Sequence, residues 1–273
     1  GYFFFNEDEY KKSNTMIRPF YKKVLGAREF FHSITRYCLW LNDENLKVAM
    51  KHEFIKNIIE DVKHYRLGSK REATRKLAGV PHRFGEVRYE FSKSIIIPGL
   101  SAEKREYIPI GFLSEDTVVT NLAQVVYNAE PWLFGLIHSK INNLWVHMTS
   151  GYFKKDIRYS PVLSYNTFPF PPITEKQKEE ITKCVFRILE EREQHPDKTL
   201  AQLYDPNKMP DGLREAHRQN DLAVERCYRS KPFTSDEERL EYLFKLYEKM
   251  IAEEKEQGGL FEQQKKTKKG KKK

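Results

Sequence analysis

Lys154, Asp156 and Arg158, each two residues from the next, carry the sharpest chemistry in this sequence, within the stretch Gly151-Tyr-Phe-Lys-Lys-Asp-Ile-Arg-Tyr-Ser160. On an extended backbone successive side chains point to opposite faces. The three charged residues then share one face, while Phe153, Ile157 and Tyr159 lie on the other. Lys and Arg donate to guanine O6 and N7, and Asp accepts from cytosine N4, so such a row suits base edges in a major groove. It equally describes a solvated strand face on which Asp156 merely pairs with its cationic neighbours.

What must position this strand is the helix before it. Pro131 suits a first helical turn, and Leu133, Leu136, Ile137, Ile141, Leu144, Trp145 and Met148 recur at helical spacing until Gly151. Residues 86–113 read as a β region, with Val87–Phe91 alternating, Ile95-Ile96-Ile97 stopped by Pro98, and a further run at Tyr107–Phe112. Prolines 98 and 109 favour sheet edges, because each removes a ladder donor. Thr117–Asn121 is another strand candidate. Nearer the start, residues 2–5 and Arg36–Leu41 read as strands, and Asp43 caps a helix that breaks around His52-Glu53.

Asn166–Pro172 is a proline-punctuated linker, after which the period becomes purely helical. Thr174 with Gln177 and Ser235 with Glu238 have capping-box spacing, and Asp211 stands at another helix start. The expected fold class is α+β: a mixed domain with a mainly antiparallel sheet over 1–171, a small all-α helical domain over 172–256, and a basic disordered tail over 257–273.

The net charge of +9 is unevenly spread: residues 1–172 hold 25 Lys/Arg against 18 Asp/Glu, residues 173–264 hold 16 against 21, and seven lysines close the chain. Most of the first excess falls in 47–83, with ten Lys/Arg and four Asp/Glu. Arg66, Lys70 and Arg71 in that segment, with Lys104, Arg105 and Lys155 further on, are the candidates for holding phosphates. The lysine tail alone would bind nucleic acid weakly and without sequence preference.

Catalytic signatures are lacking: there is no G-x-G-x-x-G, Walker A, H-E-x-x-H or G-x-S-x-G motif. His138 and His147 are too far apart on one helix for a metal pair, and Cys38, Cys184 and Cys227 form no C-x-x-C, so no catalytic residue, metal site or bound cofactor is expected in this chain. No apolar run approaches the roughly 18 residues that span a bilayer. Reduced cysteines and the absence of a signal-like start give a cytoplasmic protein with no membrane partner as the expectation.

Several motifs in order resemble one family. Arg18-Pro-Phe, Gly26-Ala-Arg-Glu-Phe, Arg36-Tyr-Cys-Leu-Trp-Leu, Ser101-Ala-Glu-Lys-Arg-Glu-Tyr-Ile-Pro-Ile-Gly-Phe, Phe134-Gly-Leu and Arg158-Tyr-Ser resemble the target-recognition domain of MmeI-like (type IIG/IIL) restriction–modification DNA methyltransferases. Leu200-Ala-Gln-Leu-Tyr-Asp-Pro, Met209-Pro, Ala216-His-Arg-Gln-Asn-Asp and Phe244-Lys-Leu-Tyr-Glu-Lys resemble that family's C-terminal helical domain. The resemblance implies a sequence-specific module for double-stranded DNA, fused in the parent polypeptide to an upstream adenine methyltransferase domain that uses S-adenosylmethionine, and in that family normally also to a nuclease domain. It assigns base reading to Lys154, Asp156 and Arg158, and a second specificity position to Asn121 and Leu122. Two other readings stay open on the residues themselves. One is a protein–protein scaffold in which the helical part is the working element. The other is an RNA-binding module, with Tyr152, Phe153, Tyr159 and Tyr165 stacking unpaired bases.

Overall fold

The computed structural model describes residues 1–120 and 122–256. In chain order it contains β1 (Phe4–Asn6), α1 (Glu7–Lys12), β2 (Tyr21–Leu25), α2 (Ala27–Phe31), β3 (Arg36–Leu39), α3 (Asp43–Ala49), α4 (Glu53–Leu67) and α5 (Glu72–Lys76). Next come β4 (Ser94–Pro98), β5 (Leu100–Ala102), β6 (Gly111–Leu113), β7 (Thr117–Val119) and β8 (Ala123–Tyr127). Then follow α6 (Pro131–Ile137), α7 (Lys140–Thr149), β9 (Gly151–Phe153), β10 (Asp156–Arg158), α8 (Glu175–Glu193), α9 (Leu200–Leu203), α10 (Asp211–Tyr228) and α11 (Asp236–Glu256). The class is α+β, as expected, and the helices after residue 172 carry no strand among the described residues.

Contacts group the chain into two units, one of 1–98 with 111–129, the other of 99–110 with the residues from 130 onward. The first unit holds two sheets, ordered β1-β3-β2-β7 and β6-β4-β8. Every pair in them is antiparallel except β2 with β7. Ile95, Ile96 and Ile97 are buried on both faces of β4, which explains a continuous apolar run at a central position. α3 and α4 pack Ala49, Ile55, Ile59 and Val62 against Phe3, Phe20, Tyr21 and Leu39.

The second unit is built on α6, α8 and α10, with Phe134, Ile181, Val185, Ile188, Leu213 and Val224 buried. Gly135 lets these helices approach: a Cβ there would meet Val185 at 2.9 Å and Asn220 Oδ1 at 2.6 Å, and would also collide with Ile181. The only sheet of this unit among the described residues is β5-β10-β9.

Several local expectations are corrected. Val87–Phe91 forms no strand; Val87 and Phe91 are exposed, so the alternation has no core beneath it. Within Tyr107–Phe112 only the end joins a strand, because Tyr107 through Ile110 are buried in the second unit. The helix expected from Pro131 onward is two helices, since Ser139 caps the second by accepting from Asn142 N–H. Asn42, not Asp43, is the N-cap of α3, and Pro210, not Asp211, precedes α10. The Thr174–Gln177 capping box forms as the spacing predicts, and Ser235 Oγ accepts from Glu238 N–H. The tail expected over 257–273 lies outside the described residues.

Candidate nucleic-acid interface

The stretch 151–158 is not one extended ribbon but a β-hairpin. β9 pairs antiparallel with β10, Phe153 opposite Asp156, Tyr152 opposite Ile157 and Gly151 opposite Arg158, leaving Lys154-Lys155 as a two-residue turn. Lys154 has φ 58°, the left-handed region that the first central position of such a turn requires. β10 pairs on its other side with β5: Asp156 with Ala102, Ile157 with Ser101 and Arg158 with Leu100. Tyr159 N–H extends the ladder by donating to Gly99 O at 3.1 Å.

This register sorts the side chains. Ile157 (1% exposed) and Ser101 point into the unit, with Tyr159 buried below them. Directly opposed residues share a face, so the outer face carries Phe153, Asp156 and Ala102 in one row and Arg158 with Leu100 in the next, where Gly151 contributes no side chain. Asp156 and Arg158 therefore share a face, as expected for alternate residues of one strand. Lys154 leaves that row for the tip, because the chain reverses there, and Phe153 joins the outer face instead of the inner one.

The segment carrying β5 is held by a buried polar cluster that the sequence did not reveal. Tyr107 Oη donates to Asp221 Oδ2 at 2.6 Å, and Lys140 N–H donates to Asp221 Oδ1 at 2.7 Å. The Tyr107 ring stacks on His217 at 4.1 Å. His217 Nε2 accepts from Tyr204 Oη at 2.8 Å, and Tyr204 Oη in turn accepts from Arg192. Arg192 also donates to Ile110 O at 2.9 Å. Burial pushes the Asp221 carboxyl up to about 7 and the Tyr107 phenol well above its ordinary value. The His138 and His217 imidazoles are driven well below theirs, first by burial and then by neighbouring positive charge.

The candidate phosphate ligands divide. Lys104, Lys154 and Lys155 are exposed. Because Ala102 sits opposite Asp156, the turn carrying Lys104 lies at the same end of the sheet as the Lys154–Lys155 tip. Lys70 and Arg71 are exposed just ahead of α5 in the other unit.

Arg66 is withdrawn as a phosphate ligand. It is 8% exposed, and its guanidinium donates to Leu77 O, Val80 O and Arg83 O at 3.0, 3.0 and 2.6 Å. Arg105 is half-buried near Asp156 and Asp205, which makes it a neighbour of Asp156 more than an extended surface arm. Leu122 is 65% exposed between β7 and β8, whereas Asn121 lies outside the described residues. Of the aromatics proposed to stack on RNA, Tyr152 and Phe153 are exposed, but Tyr159 is buried and cannot receive a base.

Among the described residues no group of His, Cys, Asp and Glu could hold a metal ion, and no helix is long and apolar enough to cross a membrane.

Comparison with known proteins places these features in a family. Residues 1–172 match the model of the MmeI target recognition domain, and residues 173–253 match that of the MmeI C-terminal domain. DNA methyltransferase A of Bacillus subtilis (strain 168) is 42% identical over 232 residues, covering 85% of this chain and 26% of that protein. The solved structure of the Type IIL restriction-modification enzyme MmeI in complex with DNA superposes with a TM-score of 0.86 at 32% identity, covering 92% of this chain and 34% of that one. The chain thus spans about a quarter to a third of the relatives it matches. It belongs to the MmeI family, of which it carries the target recognition domain and the C-terminal domain.

Proposed function

We propose that this chain is the sequence-reading module of a site-specific adenine DNA methyltransferase of the restriction–modification type, and that it binds double-stranded DNA through the outer face of the β5-β10-β9 sheet. The observation that carries this reading is a sheet face on which a half-buried Asp156 stands beside an exposed Arg158, backed by a buried Ile157 and flanked at one end by Lys104, Lys154 and Lys155. Asp156 and Arg158 read base edges. Lys154, now at the hairpin tip, reaches the neighbouring base pair or the backbone. Lys104 and Lys155, with Lys70 and Arg71 of the other unit, bind phosphates and contribute affinity without sequence preference. Leu122 and Asn121 form the second specificity position.

On this reading residues 1–171 recognise DNA, and residues 172–256 brace the recognition sheet through α10 and α8. Adenine methylation and S-adenosylmethionine belong to an upstream methyltransferase domain of the same polypeptide, and the protein works in the cytoplasm. A stacking RNA-binding surface is disfavoured by the burial of Tyr159.

The test is selection of binding sites from a randomised duplex pool. Asp156→Ala should change the base accepted at one position, with discrimination altered by about 1–3 kcal/mol. Lys70→Ala should weaken every sequence alike and flatten the salt dependence. An equal loss on all sequences for Asp156→Ala would refute base reading by this strand. Binding to a protein that is insensitive to salt, with no duplex binding, would favour a scaffold instead.

A further inference from the structure

Phe153 is an exposed aromatic side chain on the free edge of a sheet. It is 55% exposed, on β9, whose outer edge pairs with nothing among the described residues. An unpaired strand edge is a template for association, and an exposed aromatic ring on it offers apolar area that a partner can cover. Among the described residues no other ring and no cation stacks on it, in contrast to Phe3, Phe4 and Phe84 in the other unit. The register sets its direction: Phe153 is the cross-strand partner of Asp156, so both project from the outer face. Beside them the next row is open on one side, since a Cβ at Gly151 would meet nothing within 4 Å. An exposed ring, a half-buried carboxylate and, one row away, an exposed guanidinium therefore line one face at the cationic end of the sheet.

In a major groove the one apolar group on a base edge is the thymine 5-methyl. An exposed ring adjoining a base-reading carboxylate is chemically matched to it. Resting on the reading of this sheet as the DNA-binding face, we propose that Phe153 is a specificity-determining residue. Its ring selects a thymine (or another 5-methylpyrimidine) in the base pair next to the one read by Asp156. Asp156 and Phe153 then form a composite reader, in which one takes a cytosine amino group and the other an adjacent methyl.

The experiment uses the full chain, sites selected from a randomised duplex pool, and duplexes in which each thymine of the selected site is replaced in turn by deoxyuridine. The expected result is one thymine whose loss of the methyl weakens binding about fourfold, the worth of one buried methyl group. With Phe153→Ala that position should become indifferent to thymine or deoxyuridine, while the base chosen through Asp156 stays the same. Phe153→Leu should retain part of the preference. Phe153 supports no buried contact, so circular dichroism should report an unchanged fold for both variants. If the deoxyuridine penalty is identical in wild type and Phe153→Ala, or the selected site holds no thymine beside the Asp156 position, the assignment fails while base reading by the sheet stands. If no sequence is selected at all, the underlying DNA-reading role fails with it.

Discussion

The guanidinium of Arg66 spends its hydrogen bonds on three backbone carbonyls of the 77–83 segment, closing α4 onto the turn that follows α5. Desolvation there lowers its pKa from the ordinary arginine value without removing its charge. Arg66→Ala would remove the buried donor from all three part-buried acceptors, at a cost of about 1–3 kcal/mol in urea unfolding. Its effect on DNA binding should be no larger than that loss of folded protein explains. Arg71→Ala, at an exposed position five residues away, should leave the urea midpoint unchanged and weaken all duplexes alike. A urea midpoint that is unchanged in Arg66→Ala would refute the structural role. The two arginines are indistinguishable by residue type; what separates them is which one finds carbonyls within reach.

At the scale of the element, the hairpin decides which side chains can be read together. Its turn is Lys154-Lys155, with none of the Gly, Asn or Asp residues that announce a two-residue turn, so nothing in the residue types marks the reversal. Lys154 nonetheless holds φ 58°, a conformation that costs a β-carbon-bearing residue about 1–2 kcal/mol. Lys154→Gly should therefore raise stability by about 0.5–1 kcal/mol after the extra chain entropy of glycine is counted, read as a higher urea midpoint. Duplex affinity should fall at the same time, because a cation leaves the tip. A fall in stability would mean that the turn is not held in this geometry. The alternation of Asp156 and Arg158 over a buried Ile157 was legible, since period two needs only a strand; the partner of each residue was not, since it depends on where the strand folds back.

For the molecule as a whole, the buried cluster of Tyr107, His138, His217 and Asp221 ties pH to stability within the second unit. Asp221, pushed up to about 7 chiefly by burial, keeps a proton in the folded chain that an unfolded aspartate releases near pH 4. Its contribution is complete below about pH 4 and is lost as pH rises through about 7. The two histidines act oppositely: neutral when folded, they take up protons on unfolding below about pH 6.5, so stability falls as the solution is acidified past that value. Two histidines outweigh one carboxyl between about pH 4 and 6.5, so the urea midpoint should rise over that range and level off above about pH 7, where both kinds of group hold the same number of protons folded and unfolded. Asp221→Asn removes the carboxyl's opposing contribution and should steepen the rise between about pH 4 and 6.5. A midpoint that goes on rising through pH 8 in the wild-type chain would contradict this assignment.

Sequence by itself determined the α+β class, the helical character of the C-terminal part, the capping box at Thr174 and the inward-facing Ile157, because these rest on periodicities and caps confined to one segment. Tertiary structure alone decided which cations stay in solvent, that residues 99–110 pack with the later helices, and that Phe153 shares a face with Asp156. Each of these depends on a contact between residues far apart in the chain or on the direction a turn takes. Neither leaves a mark in the spacing of residue types.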